Sequence, residues 1–315
     1  MKRPLVILTG PTASGKSGLS VLLAKKIGGE IVSADSMQVY RGMDIGSAKI
    51  TREEMQGVPH HLIDCCDFDE PFSVSAFKDA AAEALEKIYA AGHIPIIAGG
   101  TGFYIQAILR DIDFTETETD PAFREEMMSL AAREGSEAVH SILAGTDPEA
   151  AASIHPNNVR RVIRALEFYR HTGTKISAHN LLESERPSPY NFAYFVLRWD
   201  RAELYRRIEE RVDRMMEDGL LDEVRALREA GAVPEMISMQ GLGYKELLSY
   251  LNGECTLDEA VSLIKKSTRH YAKRQETWFR REKDVIYLDA GKKSPEELLS
   301  DIINILTEKE ILQRQ

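Results

Sequence analysis

The chain has 315 residues, of which 43% are hydrophobic and 29% charged, and its formal net charge is -10. This composition supports one large or two modest folded domains, and it excludes a protein that coats nucleic acid with a uniformly basic surface. No apolar run approaches the ~18 residues that a membrane span requires, so we expect no membrane partner. Cys65, Cys66 and Cys255 show neither even pairing nor metal-ligand spacing, which favours a reducing, cytoplasmic location.

The first hundred residues alternate between strand and helix patterns. Short apolar runs predict four strands, at residues 4–9, 30–34, 61–64 and 94–98. Helical spacing over 16–27 and 75–91 predicts helices between them. Strands that are apolar on both faces and alternate with helices indicate a parallel sheet covered by helices, and ligands bind beyond the carboxyl ends of such strands. Polar clusters follow three of these ends, at residues 10–17, 35–38 and 99–102.

Beyond residue 110 the pattern becomes mainly helical. An acidic, Thr-rich connector is predicted at 111–121, and residues 122–182 show helical patterns without a convincing strand. After a second connector at 186–189, the predicted elements are a strand at 193–199, helices at 201–218, 220–230, 243–251 and 257–281, and a strand at 285–288. We therefore predict an α/β core made of residues 1–114 and 191–315, carrying an all-helical insertion domain at 115–190.

A phosphate-binding loop follows the first predicted strand. Its residues are Gly10, Pro11, Thr12, Ala13, Ser14, Gly15, Lys16 and Ser17. They match the full P-loop pattern, and they lie between a predicted strand and a predicted helix. Glycines let backbone N–H groups turn toward phosphate oxygens, Lys16 adds a positive charge, and the Ser17 hydroxyl can complete a Mg²⁺ shell. The loop predicts binding of a di- or triphosphate group.

The loop alone leaves the identity of the phosphate open. The strand at 94–98 ends in Gly99-Gly100-Thr101-Gly102 and not in the carboxylate that usually supports the metal in an ATPase. Asp35 is the strand-end carboxylate near the loop, and it is either a turn cap or a general base that faces the phosphate site. Thr101 is either part of a plain turn or a hydroxyl donor to a leaving diphosphate.

Two predicted helices carry clustered positive charge. Residues 265–283 hold far more Lys and Arg than Glu, and Lys266, Arg269, His270, Lys273, Thr277 and Arg280 lie along one helical face. Tyr271 and Trp278 lie on another face. A solvated charged surface is the ordinary explanation of such a run, whereas interleaved aromatics favour contact with a phosphate backbone. A second basic helix spans 157–166. His60 and His61 are adjacent and do not share a face, so we expect no metal there.

Seven motifs together resemble the bacterial tRNA dimethylallyltransferases, which prenylate N6 of the adenosine next to the anticodon. Besides the phosphate loop, the motifs are residues 33–40 (SADSMQVY), 46–49 (GSAK), 59–64 (PHHLID), 99–104 (GGTGFY), 240–245 (QGLGYK) and 272–280 (AKRQETWFR). Ser47 replaces an expected Thr, and Phe103 replaces a common Leu. The resemblance implies a P-loop NTPase-like parallel sheet flanked by helices.

The resemblance also implies the chemistry. Dimethylallyl diphosphate would place its diphosphate in residues 10–17, with Lys16, Mg²⁺ on Ser17, Thr101, and an arginine that is either Arg207 or Arg211. Asp35 would be the base for the adenosine amine. The implied contacts with the tRNA anticodon stem-loop are Asp35, Ser36, Met37, Gln38, Thr101, Arg124, Asn158, Val159, Arg160, Arg161, Arg164, Lys273, Arg274, Gln275, Trp278 and Arg280. We expect a monomer.

Three other functions compete with this prediction. A small-molecule P-loop kinase explains the loop and Asp35 but leaves the basic helix without a role. An isopentenyltransferase that acts on free adenine nucleotides shares most of the motifs and differs in its acceptor. A non-catalytic RNA-binding module needs the basic helices and does not need Asp35.

Overall fold

The computed structural model describes residues 2–114 and 120–312. The chain forms two compact units, the first made of Met1–Leu109 with Pro189–Gln315 and the second of Arg110–Ser188. The predicted domain boundary at residue 115 and residues 115–119 of the predicted connector lie outside the described residues.

The first unit contains a sheet of six parallel strands in the order β3-β2-β4-β1-β5-β6. The strands are β1 (Arg3–Thr9), β2 (Gly29–Ala34), β3 (His60–His61), β4 (Ile94–Gly99), β5 (Tyr190–Arg198) and β6 (Val285–Asp289). The predicted parallel sheet is therefore confirmed. Strand β1 is covered on both faces because Val6 and Leu8 join one apolar core while Leu5 and Ile7 join another.

Fourteen α-helices are present in the described part of the chain. They are α1 (Lys16–Ile27), α2 (Arg52–Met55), α3 (Val74–Ala90), α4 (Gly102–Leu109), α5 (Pro121–Glu134), α6 (Ser136–Thr146), α7 (Pro148–Ser153), α8 (Val159–Thr172), α9 (Ile176–Glu185), α10 (Arg201–Glu217), α11 (Leu220–Glu229), α12 (Tyr244–Leu251), α13 (Leu257–Phe279) and α14 (Pro295–Glu308). Two helices of eight or more residues, α4 and α14, escaped prediction. Helix α4 begins inside the Gly-rich turn after β4, and α14 begins with a capping box at Ser294 and Glu297 that does give a sequence signal.

The register of the sheet brings the three polar clusters to one edge. Thr9 at the end of β1 and Ala34 at the end of β2 both align with Gly99 of β4. Helices α10 and α13 pack next to this edge, since Leu204, Ile208 and Ala272 share a small apolar cluster with Ala13 of the phosphate loop. The two helices therefore contact the loop directly.

The second unit is built from α5 to α9, and its described elements are all helices. Its core includes Val139, Leu143 and Val162, each fully buried. On α8, Ile163 and Leu166 are buried and Val159 is half-buried. No helix in the described ranges, 2–114 and 120–312, is both long and apolar enough to cross a membrane.

Candidate active site

The phosphate loop joins the end of β1 to the start of α1. Ala13 and Gly15 both adopt left-handed backbone conformations, with φ angles of 62° and 86°. Gly15 precedes α1 and offers no side-chain cap, so the first N–H groups of α1 receive no side-chain partner from it. A helix start of this kind, combined with left-handed turns, presents N–H donors to an anion. The loop has the local geometry of a phosphate-binding site.

Two half-buried cations of this site lie close together. Burial lowers the pKa of Lys16 to about 8, and the positive charge of Arg211 lowers it further while Asp35 opposes the shift. Burial also lowers the pKa of Arg211, again against the pull of Asp35. Burying two cations with one carboxylate leaves a net positive site, which a multiply charged anion would stabilise.

Asp35 lies in the turn that follows β2, and this turn is tied to the turn after β4. The Asp35 carboxylate accepts the Met37 N–H at 3.0 Å. Thr101 Oγ1 accepts the Ser36 N–H at 3.1 Å, and the Thr101 N–H donates to the Ala34 carbonyl at 3.0 Å. Thr101 thereby fixes the turn that carries Asp35, and its predicted donation to a diphosphate stays a prediction.

Gln275 of α13 connects the phosphate loop to the β4 turn. Its Oε1 accepts the Thr12 N–H at 2.9 Å, and its Nε2 donates to the Gly100 carbonyl at 2.9 Å. The side chain passes so close to Gly100 that a Cβ there would lie 2.3 Å from Gln275 Nε2. Gly102 is required for the same reason, because a Cβ at this position would meet the Trp278 ring at 2.3 Å. Gly100 and Gly102 are thus explained by close packing against α13, whereas a Cβ at Gly99 would meet the Ala34 backbone of β2 at 2.2 Å.

A cavity of about 460 Å³ opens from the phosphate loop. One part of its wall is polar and includes Lys16, Ser17, Asp35 and Arg211. Another part is apolar and is formed by Met37, Ile208, Val212, Met215, Leu220, Tyr244 and Ile264. Cations, a carboxylate and an apolar wall in one cavity suit a ligand with an anionic head and a hydrocarbon tail.

The GSAK motif, residues 46–49, builds part of the wall of this cavity. Lys49, whose side chain is only 5% exposed, pairs with Asp44 at 2.6 Å and Asp64 at 2.5 Å. Glu223 of α11 accepts the N–H groups of residues 44, 45 and 46, and it also accepts the Tyr244 hydroxyl at 2.7 Å. These motif residues act by holding the wall in place.

The basic residues between 265 and 280, on α13 and at its C-terminal cap, divide into a paired and an unpaired group. Lys265 pairs with Asp213 at 2.6 Å, and Arg269 pairs with Glu209, both partners lying on α10. Lys273, Arg274 and Arg280 are exposed. Within the described residues they form no ion pair, and Arg274 lies over the Tyr271 ring at 5.6 Å. These three side chains are available to phosphate groups of a partner.

The structure separates the two candidate arginines of α10. Arg211 lines the cavity with Lys16 and Asp35. The Arg207 Nε donates instead to the Ala13 carbonyl at 2.9 Å, and its guanidinium lies 4.2 Å from the centre of the Trp199 ring. Arg211 is therefore placed to meet an anion in the cavity, while Arg207 contacts the loop at Ala13 and does not line the cavity. Both arginines line a smaller pocket beside Ala13 and Gly15.

Several residues predicted to contact tRNA also bond or pack within the protein. Gln275 is 5% exposed, with both amide atoms bonded inside the protein. Gln38 accepts the Ser33 hydroxyl and donates to the Ala48 carbonyl, each at 3.2 Å. Trp278 is half-buried and lies edge-on to Phe103 with ring centroids 6.2 Å apart. Ser36 and Met37 line the cavity.

In the helical unit, the predicted contacts fall into two groups. Asn158, Arg160, Arg161 and Arg164 of the α8 region are exposed. Arg124 forms a two-pronged pair with the buried Glu167, at 2.8 and 2.7 Å, and Arg164 lies 3.5 Å from the same carboxylate. Arg124 therefore has a structural partner that sequence patterns did not indicate.

Tyr271 is the site residue that sequence reasoning missed. It lines the cavity, and its pKa is raised by burial and by the Asp35 charge, while contacts with Thr101 and Gln275 act in the opposite direction. It precedes Gln275 by four residues on α13, so helical spacing places both side chains on one face. Once Gln275 is assigned to the site, this spacing indicates that Tyr271 also belongs to it.

The described residues contain no group of three or more His, Cys, Asp or Glu side chains that could hold a metal. His60 and His61 instead bond the Val58 carbonyl at 2.8 Å and Glu30 at 2.7 Å. Ser17 is exposed and lines the cavity. Mg²⁺ commonly keeps several waters and binds one or two protein oxygens together with substrate phosphates, so this setting fits a magnesium ion that arrives with a diphosphate.

Comparisons with known proteins agree with this geometry. A family model described as IPP transferase matches residues 38–282. The tRNA dimethylallyltransferase of Lachnoclostridium phytofermentans is 56% identical over 312 residues, covering 99% of this chain and 100% of that protein.

Solved structures give the same result. The full-length tRNA isopentenylpyrophosphate transferase of Bacillus halodurans is 44% identical, with a TM-score of 0.75 over 98% of this chain and 97% of that chain. The Staphylococcus epidermidis tRNA delta(2)-isopentenylpyrophosphate transferase is 40% identical, with a TM-score of 0.72 over 98% and 100% of the two chains. A eukaryotic dimethylallyltransferase acting on tRNA is 30% identical, with a TM-score of 0.81 over 98% and 79%.

Proposed function

Because this chain belongs to the IPP transferase family, we propose that it transfers a dimethylallyl group from dimethylallyl diphosphate to N6 of adenosine 37, next to the anticodon of tRNA. The observation that carries the proposal is the cavity in which the half-buried cations Lys16 and Arg211 adjoin both Asp35 and an apolar wall. Cations hold a diphosphate, an apolar wall holds a short prenyl chain, and a carboxylate can accept a proton.

This chain lowers the barrier to prenyl transfer by stabilising the leaving diphosphate. As the bond between the allylic carbon and the diphosphate oxygen breaks, the electron pair stays with the diphosphate and positive charge develops on the carbon. Lys16, Arg211 and the N–H groups of the phosphate loop stabilise the departing charge. A Mg²⁺ ion held by Ser17 would neutralise further charge on the diphosphate.

The acceptor amine needs a base because its lone pair is delocalised into the adenine ring. We assign Asp35 this role: it accepts a proton from N6 as the new C–N bond forms. Thr101 and Met37 support the assignment because their hydrogen bonds hold the Asp35 turn in place. The adenosine must leave its stack to reach a cavity of this kind, so binding includes flipping of the base.

Binding of the anticodon stem-loop is assigned to the exposed cations of α13, which are Lys273, Arg274 and Arg280. The exposed Asn158, Arg160, Arg161 and Arg164 of the helical unit are proposed as a second set of contacts. Because phosphate contacts release counter-ions, we expect tRNA affinity to fall steeply with salt. We further infer a monomeric enzyme of the cytoplasm, where tRNA is available.

The reaction is tested by incubating the purified protein with tRNA, dimethylallyl diphosphate and Mg²⁺ and measuring anticodon-loop fragments by mass spectrometry. We expect a mass gain on adenosine 37. Asp35→Asn should reduce the rate by about 10²–10⁴-fold, as the loss of a general base does, with tRNA affinity unchanged within about twofold. Phosphoryl transfer from γ-labelled ATP without prenyl transfer would establish the kinase alternative, and full activity of Asp35→Asn would remove Asp35 as the base.

The free-nucleotide alternative is separated by charge reversal on α13. Combining Lys273→Glu with Arg280→Glu should weaken tRNA binding by about 10²-fold or more and reduce its salt dependence, because two phosphate contacts are lost. Transfer to AMP, if it occurs, should be spared. The matched control is Lys26→Glu with Lys87→Glu, which places the same charge change on α1 and α3. Equal tRNA turnover by both double variants would contradict the assignment of α13.

A further inference from the structure

Ala13 and Ser14 form the outer side of the phosphate loop, the part that does not line the cavity. Two side chains that contact each other hold this side. The Trp199 Nε1 donates to the Ser14 carbonyl at 3.0 Å, and the Arg207 Nε donates to the Ala13 carbonyl at 2.9 Å. The Arg207 guanidinium lies 4.2 Å from the centre of the Trp199 ring, within the range of a cation–π contact. Two consecutive carbonyls of the loop are therefore bonded to one joined pair of side chains.

The backbone of the loop explains why such bonds matter. Ala13 has a φ of 62°, a left-handed conformation that is unfavourable for a residue with a Cβ. A peptide unit carries its C=O and N–H on opposite sides. Carbonyls 13 and 14 that are fixed toward Trp199 and Arg207 thus keep the N–H groups of the following residues turned the other way. If these carbonyls rotated, the donors that a phosphate needs would be lost.

The chain places this pair accurately. Trp199 follows the last residue of β5, and Arg207 lies two turns into α10. Between them, the Asp200 carboxylate accepts the Ala202 N–H at 2.9 Å and caps the start of α10. The cap fixes the direction of α10 relative to the end of β5, and with it the position of Arg207 over Trp199.

We propose that Trp199 and Arg207 are positioning residues that hold the phosphate loop in its diphosphate-binding conformation from outside. They differ in this from Lys16 and Arg211, which line the cavity. Naming the ligand as the diphosphate of a prenyl donor rests on the proposed function, whereas the hold on the loop rests on the contacts described above.

The test uses inorganic pyrophosphate with MgCl₂ in calorimetry, together with steady-state kinetics of prenyl transfer. Trp199→Phe keeps a ring under Arg207 but loses the N–H donor, and Arg207→Gln loses both the Nε donor and the stacking guanidinium. Each should weaken pyrophosphate binding by about 3–10-fold, the loss expected for one hydrogen bond. The KM for the donor should rise by the same factor, while kcat stays within about twofold. Arg206→Gln is the control, because Arg206 is exposed and pairs with Glu203 and Glu210 on the same helix.

The double variant tests whether the two residues act through the same loop. Combining Trp199→Phe with Arg207→Gln should cost less affinity than the product of the two single losses, because the second change removes support from a loop that is already released. Losses that multiply fully, or pyrophosphate affinity equal to that of Arg206→Gln in both single variants, would overturn the proposal. A variant that lowers the thermal midpoint without raising the KM for the donor would also overturn it. If the parent protein transferred no prenyl group, the pyrophosphate measurements would still decide the role of Trp199 and Arg207.

Discussion

Buried charge is handled differently in the two units of the molecule. In the helical unit, the buried Glu167 is paired with Arg124 and lies near Arg164. In the α/β unit, Lys16 and Arg211 are brought together with Asp35, and the pKa of both cations is lowered by burial. The first arrangement is satisfied within the protein, whereas the second has an excess of positive charge.

The balance of charge within the protein distinguishes a binding site from a structural ion pair. A buried carboxylate that is paired within the protein stabilises helix packing and needs no ligand to neutralise its charge. Two half-buried cations beside one carboxylate leave an excess of positive charge, and their repulsion is relieved when an anion binds.

Removing a cation from the cavity should weaken function and not stability. For Arg211→Gln we expect the KM for the prenyl donor to rise by about 100-fold, the loss typical of one charged partner in a buried pair. The thermal midpoint should stay the same or rise, because the repulsion between Arg211 and Lys16 is gone. The control is Arg214→Gln, which removes an exposed charge one turn further along α10. A lower thermal midpoint in Arg211→Gln with an unchanged KM would show that Arg211 supports stability and not donor binding.

Lys16 should give the donor affinity a pH limit. Its pKa is lowered to about 8, so as pH rises through 8 the free protein loses the positive charge that attracts the diphosphate. We expect kcat/KM for the donor to fall by about tenfold per pH unit above this point, because kcat/KM reports the free enzyme. In Arg211→Gln the midpoint should move to higher pH, since the Arg211 charge that lowers the Lys16 pKa is absent. A flat profile to pH 9.5 would exclude Lys16 as the titrating group.

Breaking the pair in the helical unit should affect stability alone. Burial by itself would raise the pKa of Glu167, but hydrogen bonds from Arg124 and the Asp120 N–H lower it. Glu167→Gln should cost about 1–2 kcal/mol of unfolding free energy at pH 7, less than for a fully buried pair because the Arg124 side chain is 42% exposed.

The direction of the Glu167 pKa shift determines how the stability that this pair contributes changes with pH. A carboxylate with a lowered folded pKa stabilises the protein above its unfolded pKa of about 4.3, and this contribution is lost as the pH falls below that value. The difference in urea midpoint between the parent and Glu167→Gln should therefore shrink on acidification. Glu125→Gln, an exposed change on α5, is the control. A large fall in pyrophosphate affinity for Glu167→Gln would show that the two regions are not independent.

Much of the site could be predicted because its signals are local. The phosphate loop, the Asp35 turn and the basic run on α13 are each contiguous, and each lies at the end or on the face of an element that periodicity reveals. Tyr271 and the internal roles of Gln275 and Gln38 could not be read in this way. Their functions depend on partners that lie far along the chain, such as Thr12 for Gln275.

By itself, the sequence determined the parallel α/β architecture, the phosphate loop and the membership of the prenyltransferase family that seven ordered motifs indicated. Periodicity and contiguous motifs are enough for these features because they arise within single elements. Only the tertiary structure decided that Arg211 faces the cavity while Arg207 contacts the loop from outside. The two arginines are four residues apart, so helical spacing places both on one face of α10 and does not distinguish them. Their surroundings differ because they lie about 6 Å apart along the helix axis. The position of α10 against the phosphate loop is set by packing of Leu204 and Ile208 against Ala13 and Ala272.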